Sequence, residues 1–148
     1  MHPFPHRYRV VSTAGNAGPV TLRSTGLPDL ATAPPAQFDG PGDAWSPETL
    51  LIGAVADCFI LSFRAVAAAS RLPWLAVDCS VEGVLERVEK VTQFTQLHIH
   101  ARLTVPAEVG AERAERVLQK AEQACLISSS LRATVHLTTE VETTPAPH

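Results

Sequence analysis

Aromatic side chains are scarce in this sequence, at 5%, with a single Tyr and a single Met. Charge is sparse too. Charged residues make up 18%, the formal net charge is −3, and no block of Lys and Arg occurs. Nucleic acid is therefore not expected as a partner, because it needs a basic face. The opening MHPFPHRYRV lacks the apolar region of a signal peptide. There are three cysteines, no CxxC pair, and no Cys/His set at zinc spacing. That argues against a structural zinc centre, and no metal is expected. Thiols without a secretion signal fit a reducing cytoplasm, where a cysteine that matters is more often reactive than structural.

None of these shortages forbids a core. The chain has 148 residues, 45% of them hydrophobic. That is enough to bury a core without disulfides, and the expectation is one domain over residues 1–148. There is no internal repeat.

Residues 6–12, HRYRVVS, have strand composition. AGNAG makes a turn, and PVTLRST, 19–25, returns as a second strand. Residues 26–44 are rich in Pro, Gly and Ala and read as a long surface loop, with one short strand near Gln37 and Phe38. A long helix begins at Ser46. Ser is a good N-cap, Pro47 suits the first helical position, and Glu48 suits the helix dipole. The helix runs to about Ser70 and stops before Pro73. It is apolar nearly all round, so burial on most of its sides is expected, in a core or a subunit interface. Leu50 to Ala69 is apolar enough for a membrane span, but Asp57 and Arg64 fall inside it. The reading is a buried helix of a soluble protein, with no membrane partner.

From Trp74 to Val88, Leu75, Val77, Cys79, Val81 and Leu85 alternate with Asp78, Ser80, Glu82 and Glu86, a half-buried strand. A turn near Glu89 and Lys90 leads to a second long strand, Val91 to Val105. Gly110 to Ala124 is an amphipathic helix with Ala114, Val117, Leu118 and Ala121 facing in. CLISSSL follows, and Arg132 to Val141 closes the domain as a strand. The tail TTPAPH reads as frayed. Strands in hairpins with segregated helices give an α+β class with antiparallel sheets.

Cys79, on the apolar face of a strand, reads as a small core hydrophobe. Cys58 lies in the apolar helix, where composition alone reads it as a buried packing residue. The charges of Asp57 and Arg64 count against that. Cys125 ends a helix just before ISSS, where backbone N–H groups and hydroxyls are plentiful. Such surroundings lower a thiol's pKa or place it for exchange. His98 and His100 share a strand face, which an exposed polar face explains without a metal. Ser128, Ser129 and Ser130 lack nucleophile-elbow glycines and read as cap or turn residues.

The stretch SPETLLIGAVADCF resembles the motif that opens the central helix of the OsmC/Ohr family, and KAEQACLISSSL resembles that family's second cysteine motif. The resemblance spans about His6 to Val141. It implies an OsmC-like fold with a long buried central helix, and an intertwined homodimer in which the helix's second buried side faces the partner. It also implies a thiol-dependent peroxidase acting on organic hydroperoxides, with Cys58 peroxidatic and Cys125 resolving. The reductant is an external dithiol, of lipoyl type by the same resemblance, and no cofactor is expected.

A buried thiol has its pKa raised, so Cys58 needs a cation or donors nearby. In the family an arginine does this, held by the glutamate that Glu48 matches. Glu48 precedes Cys58 by ten residues, roughly 15 Å along one helix axis. It must act through a longer side chain or from the partner subunit. Where the family carries its arginine, in the first hairpin turn or in the loop before the central helix, this chain has Asn16 and Gln37. Both are expected at the substrate site, with Trp45 at the mouth of its pocket. The other reading is a non-catalytic dimer that binds a small molecule or senses redox state.

Overall fold

The computed structural model describes residues 1–145. The chain divides into two compact units, the first Met1–Leu51 and the second beginning at Ile52.

In the first unit β1 (Val11–Thr13), β2 (Val20–Arg23) and β3 (Leu30–Thr32) form an antiparallel sheet in the order β1-β2-β3. The hairpin is where the sequence places it, but shorter. β2 stops at Arg23, where Leu27 N–H bonds the Ser24 carbonyl at 3.0 Å and Gly26 takes a φ of 79°. Val11 therefore pairs with Arg23, and among the described residues no strand lies opposite residues 6–10. The third strand is Leu30–Thr32 and not the stretch around Gln37 and Phe38, which forms a 3-10 turn at Ala36–Phe38. Two prolines, 34 and 35, have no N–H for a ladder. Instead the Pro35 carbonyl accepts from Phe38 N–H at 2.9 Å and Gly40 N–H at 3.0 Å. Gly40 is required there, since a Cβ would lie 1.8 Å from the Pro34 carbonyl oxygen.

Helix α1 (Pro47–Ala69) begins as its sequence predicts. The Ser46 hydroxyl accepts from Thr49 N–H at 3.1 Å, and the Thr49 hydroxyl accepts from Ser46 N–H at 2.9 Å. This reciprocal cap satisfies two orphan donors of the first turn. The far end closes in a Schellman turn, with Leu72 N–H on the Ala67 carbonyl, Arg71 N–H on the Ala68 carbonyl, and Arg71 left-handed at φ 53°. Arg113 then donates to the carbonyls of Ser70 and Arg71, both at 3.0 Å. The helix is long and apolar enough to cross a membrane by length and composition. Within one chain it is not buried on most sides. Val55, Phe59, Phe63 and Ala67 form one buried stripe, while Leu61 is 53% exposed.

The second unit packs that stripe against a three-stranded sheet, β4 (Ala76–Val88), β5 (Val91–Val105) and β6 (Thr134–Thr143), in the order β4-β5-β6. β4 and β5 form a hairpin whose turn residues Glu89 and Lys90 both have positive φ, the mirror-image turn that suits strand twist. A shift at Val84/Leu85 puts Thr95 of β5 out of register, and beyond it Leu85 is 37% exposed. The pairing of β5 with β6 is parallel, contrary to the all-antiparallel expectation. The reason is the connection. α2 (Ala111–Ala124) and the short α3 (Leu126–Ser129) carry the chain back along the sheet, so β6 starts at the same end as β5. The class remains α+β.

Core and periodicity agree in this unit. Leu97, Ile99, Ala101, Leu103 and Val105 of β5 are buried, as are Ala114, Val117, Leu118 and Ala121 of α2. Phe63 meets Trp74 edge to face, with ring centroids 5.2 Å apart. The strand expected to end at Val141 continues to Thr143, and of the expected frayed tail residues 146–148 lie outside the described residues.

Candidate functional site

Two of the three thiols meet in the second unit. Cys58 sits on α1 next to the buried Phe59 and is half-buried. Cys125 is fully buried at the break between α2 and α3. Its backbone is extended there (φ −67°, ψ 104°), which interrupts the helix. The Ser128 hydroxyl and Ser129 N–H both return to the Cys125 carbonyl, at 3.2 and 3.1 Å. The Ser130 hydroxyl bonds the Leu126 carbonyl at 2.7 Å. These serines are turn residues, as their sequence context indicates.

The first amides of this turn favour a thiolate at Cys58. Burial pushes the Cys58 thiol up, but the Ile127 N–H, the Cys125 thiol, the Ser62 hydroxyl and the Leu126 N–H all favour the thiolate, and the net direction is down. Ser62 lies one helical turn beyond Cys58, Oγ to Sγ 3.8 Å. Cys125 moves the opposite way. Burial raises it, the Ser128 hydroxyl and N–H offset part of that, and the neighbouring Cys58 raises it further. The pair is thus asymmetric, with one thiol favoured as thiolate and its neighbour held protonated. Among the described residues, every group acting to stabilise the Cys58 thiolate is neutral, and no cation is among them.

Cys79 keeps the packing role its pattern indicates. It lies against the core, and its thiol is pushed up to about 11 by burial, then by Cys125 and Asp78. The other candidates belong to the first unit. Asn16 is exposed in the bend between β1 and β2, and Gln37 is exposed in the 3-10 turn. Trp45 is 52% exposed and edges a shallow open depression with Gly42, Asp43, Ala44 and Thr49. Glu48 stands in the first turn of α1, with its Oε1 buried and without a hydrogen-bond partner among the described residues. A buried carboxylate oxygen without a donor is costly. His98 and His100 face outward on β5, as expected, and among the described residues no group of three or more His, Cys, Asp and Glu side chains stands ready for a metal.

Sequence reasoning missed three donors. Ser62 was legible, because a hydroxyl four residues after a helical cysteine shares its face. The N–H groups of Leu126 and Ile127 leave no side-chain signature.

Fold and thiols together define an α+β protein whose central helix presents one cysteine to a second at a helix break. The chain belongs to the OsmC-like protein family, whose model matches residues 40–140. It is similar to YmaD of Bacillus subtilis, an uncharacterized protein, at 29% identity over 140 residues, 91% of this chain and 92% of that one. Its structure is similar to that of an organic hydroperoxide resistance protein OsmC from Legionella pneumophila, with a TM-score of 0.75 and 26% identity over 95% of this chain and 99% of that one. An OsmC-like protein of unknown function from Vibrio cholerae has the same fold, with a TM-score of 0.82 at 15% identity, covering 93% of this chain and 99% of that one.

Proposed function

We propose that this protein is a thiol-dependent peroxidase that reduces organic hydroperoxides. The observation that carries the reading is the asymmetric pair, Cys58 favoured as thiolate beside a protonated Cys125. The Cys58 thiolate attacks the outer oxygen of the O–O bond. The S–O bond forms, the O–O bond breaks, and the alkoxide leaves as the alcohol after taking a proton. Cys125 sulfur then attacks the Cys58 sulfenic acid, forming the S–S bond and releasing water. An external dithiol, of lipoyl type by family resemblance, takes the disulfide back to two thiols and is itself oxidised to a disulfide.

The exposed apolar residues Leu61 and Leu126, beside the two thiols in sequence, favour an alkyl or fatty hydroperoxide over hydrogen peroxide. They also favour a second copy of the chain as the cover for α1, a homodimer in the cytoplasm. By family resemblance Asn16, Gln37 and Trp45 are assigned to the substrate, and Glu48 to holding a donor for the reactive thiol. The test is peroxide consumption with a dithiol reductant. Cys58→Ser abolishes turnover, and Cys125→Ser leaves Cys58 accumulating sulfinic and sulfonic acid. Full turnover by Cys58→Ser would exclude the reading.

One observation favours a second reading, a non-catalytic redox sensor or small-molecule binder. Among the described residues, the donors that favour the Cys58 thiolate are all neutral. That reading predicts slow reaction with every hydroperoxide and a reversible disulfide or adduct.

A further inference from the structure

The outer face of the second sheet carries histidines that the thiol chemistry does not use. β5 buries Leu97, Ile99, Ala101 and Leu103, so His98 and His100 between them point outward. They meet different neighbours. His100 Nε2 lies 3.3 Å from Glu140 Oε2 and is engaged there. His98 stands opposite His136 in the parallel β5–β6 register, and the two rings stack with centroids 4.9 Å apart and planes 13° from parallel. On its other side His98 is opposite Glu82 in the antiparallel β4–β5 register. The row Glu82, His98, His136 thus crosses all three strands on the exposed face.

The backbones holding the two imidazoles are paired strands, so the Cβ positions are fixed at the spacing of neighbouring strands. An ion that binds two imidazoles at about 2.0–2.1 Å needs their nitrogens within about 4 Å of each other. Stacked, exposed rings reach that by side-chain rotation alone, with no movement of the sheet. We propose that His98 and His136 form a two-imidazole surface chelate for a divalent late transition-metal ion, with water filling the remaining positions. Imidazole selects Ni²⁺, Cu²⁺ and Zn²⁺, and two nitrogens with oxygen co-ligands suit the first two better than the tetrahedral zinc sites do. Mg²⁺ and Ca²⁺ prefer all-oxygen shells and are not held. His100 takes no part, because Glu140 occupies it. The chelate is independent of the peroxidase reading and lies on a different face of the sheet from the core that packs Cys79.

Titration of Ni²⁺ into the full chain, followed by calorimetry with the half-buried Cys58 blocked by alkylation and the other two thiols lying in the core, tests the proposal. One saturable site is expected. Either His98→Ala or His136→Ala weakens it about tenfold or more, because the second imidazole binds intramolecularly once the first has bound. His100→Ala leaves it unchanged. The substituted residues are exposed, and circular dichroism confirms that each variant is folded. Absence of saturable Ni²⁺ binding to the unaltered chain overturns the proposal. So does binding that survives the double variant, or that disappears only with the exposed His2 and His6.

Discussion

The sulfur of Cys58 lies 3.8 Å from the hydroxyl of Ser62, one helical turn further along α1. A hydroxyl at that place donates to the thiolate and gains nothing comparable from the thiol, so it holds Cys58 in its reactive form. Ser62→Ala removes one donor of several. A single hydrogen bond is worth about 0.5–1.5 kcal/mol. The Cys58 thiol should therefore titrate higher, and its alkylation at neutral pH should slow by about three- to tenfold. Iodoacetamide labelling across pH, read at Cys58 by mass analysis, checks this. An unchanged profile would remove Ser62 from the site.

Cys79 predicts a pH dependence of stability. Its thiol is pushed up to about 11 in the fold from an ordinary 9.0, by burial first and then by Cys125 and Asp78. Below about 9 the thiol is neutral in both folded and unfolded chains, and the contribution is fully present. Above that the unfolded chain releases its proton first, so stability falls as the pH rises toward about 11. Urea midpoints measured across this window should drop, and Cys79→Ala should flatten the drop.

Gly83 is the point where α1 meets the β4–β5 hairpin. A Cβ built there lies 2.4 Å from Cδ1 of Ile52 and 3.0 Å from a ring carbon of Phe94. Gly83→Val overpacks this contact and should cost about 1–3 kcal/mol. Thermal unfolding measures it. Gly110→Ala, where an added Cβ meets nothing within 4 Å, is the control.

Arg71 holds a left-handed conformation at the end of α1, at φ 53°. Glycine adopts that conformation without the Cβ penalty, which costs about 1 kcal/mol or more in other residues. Arg113 bonds the Arg71 carbonyl, which the substitution keeps. Arg71→Gly should leave the fold intact and raise the melting temperature slightly. A lower value would mean that the Arg71 side chain contributes more than its backbone costs.

Much of the second unit was legible because its helices and strands obey single periods. Ala114, Val117, Leu118 and Ala121 are the inward face of α2 both by spacing and by burial. The cap at Ser46 was legible because capping chemistry is local. Pairing direction was not. The alternation within β6 is the same whether it runs parallel or antiparallel to β5, and only the α2–α3 crossover decides. β3 was hidden because its three residues lie in a Pro- and Gly-rich stretch with too few positions to show alternation. At the site, the cysteines were legible from their motifs and half of their donors were not, because amides at Leu126 and Ile127 belong to every residue type. The burial of one Glu48 oxygen is likewise a property of the folded chain alone.

The central claim is that Cys58 and Cys125 work as a peroxidatic and resolving pair. Reduced protein mixed with excess cumene hydroperoxide in a stopped-flow instrument, quenched and analysed by mass, tests it most directly. The account predicts a Cys58–Cys125 disulfide within seconds, with Cys79 still reduced. Cys58 remaining reduced for minutes would contradict it.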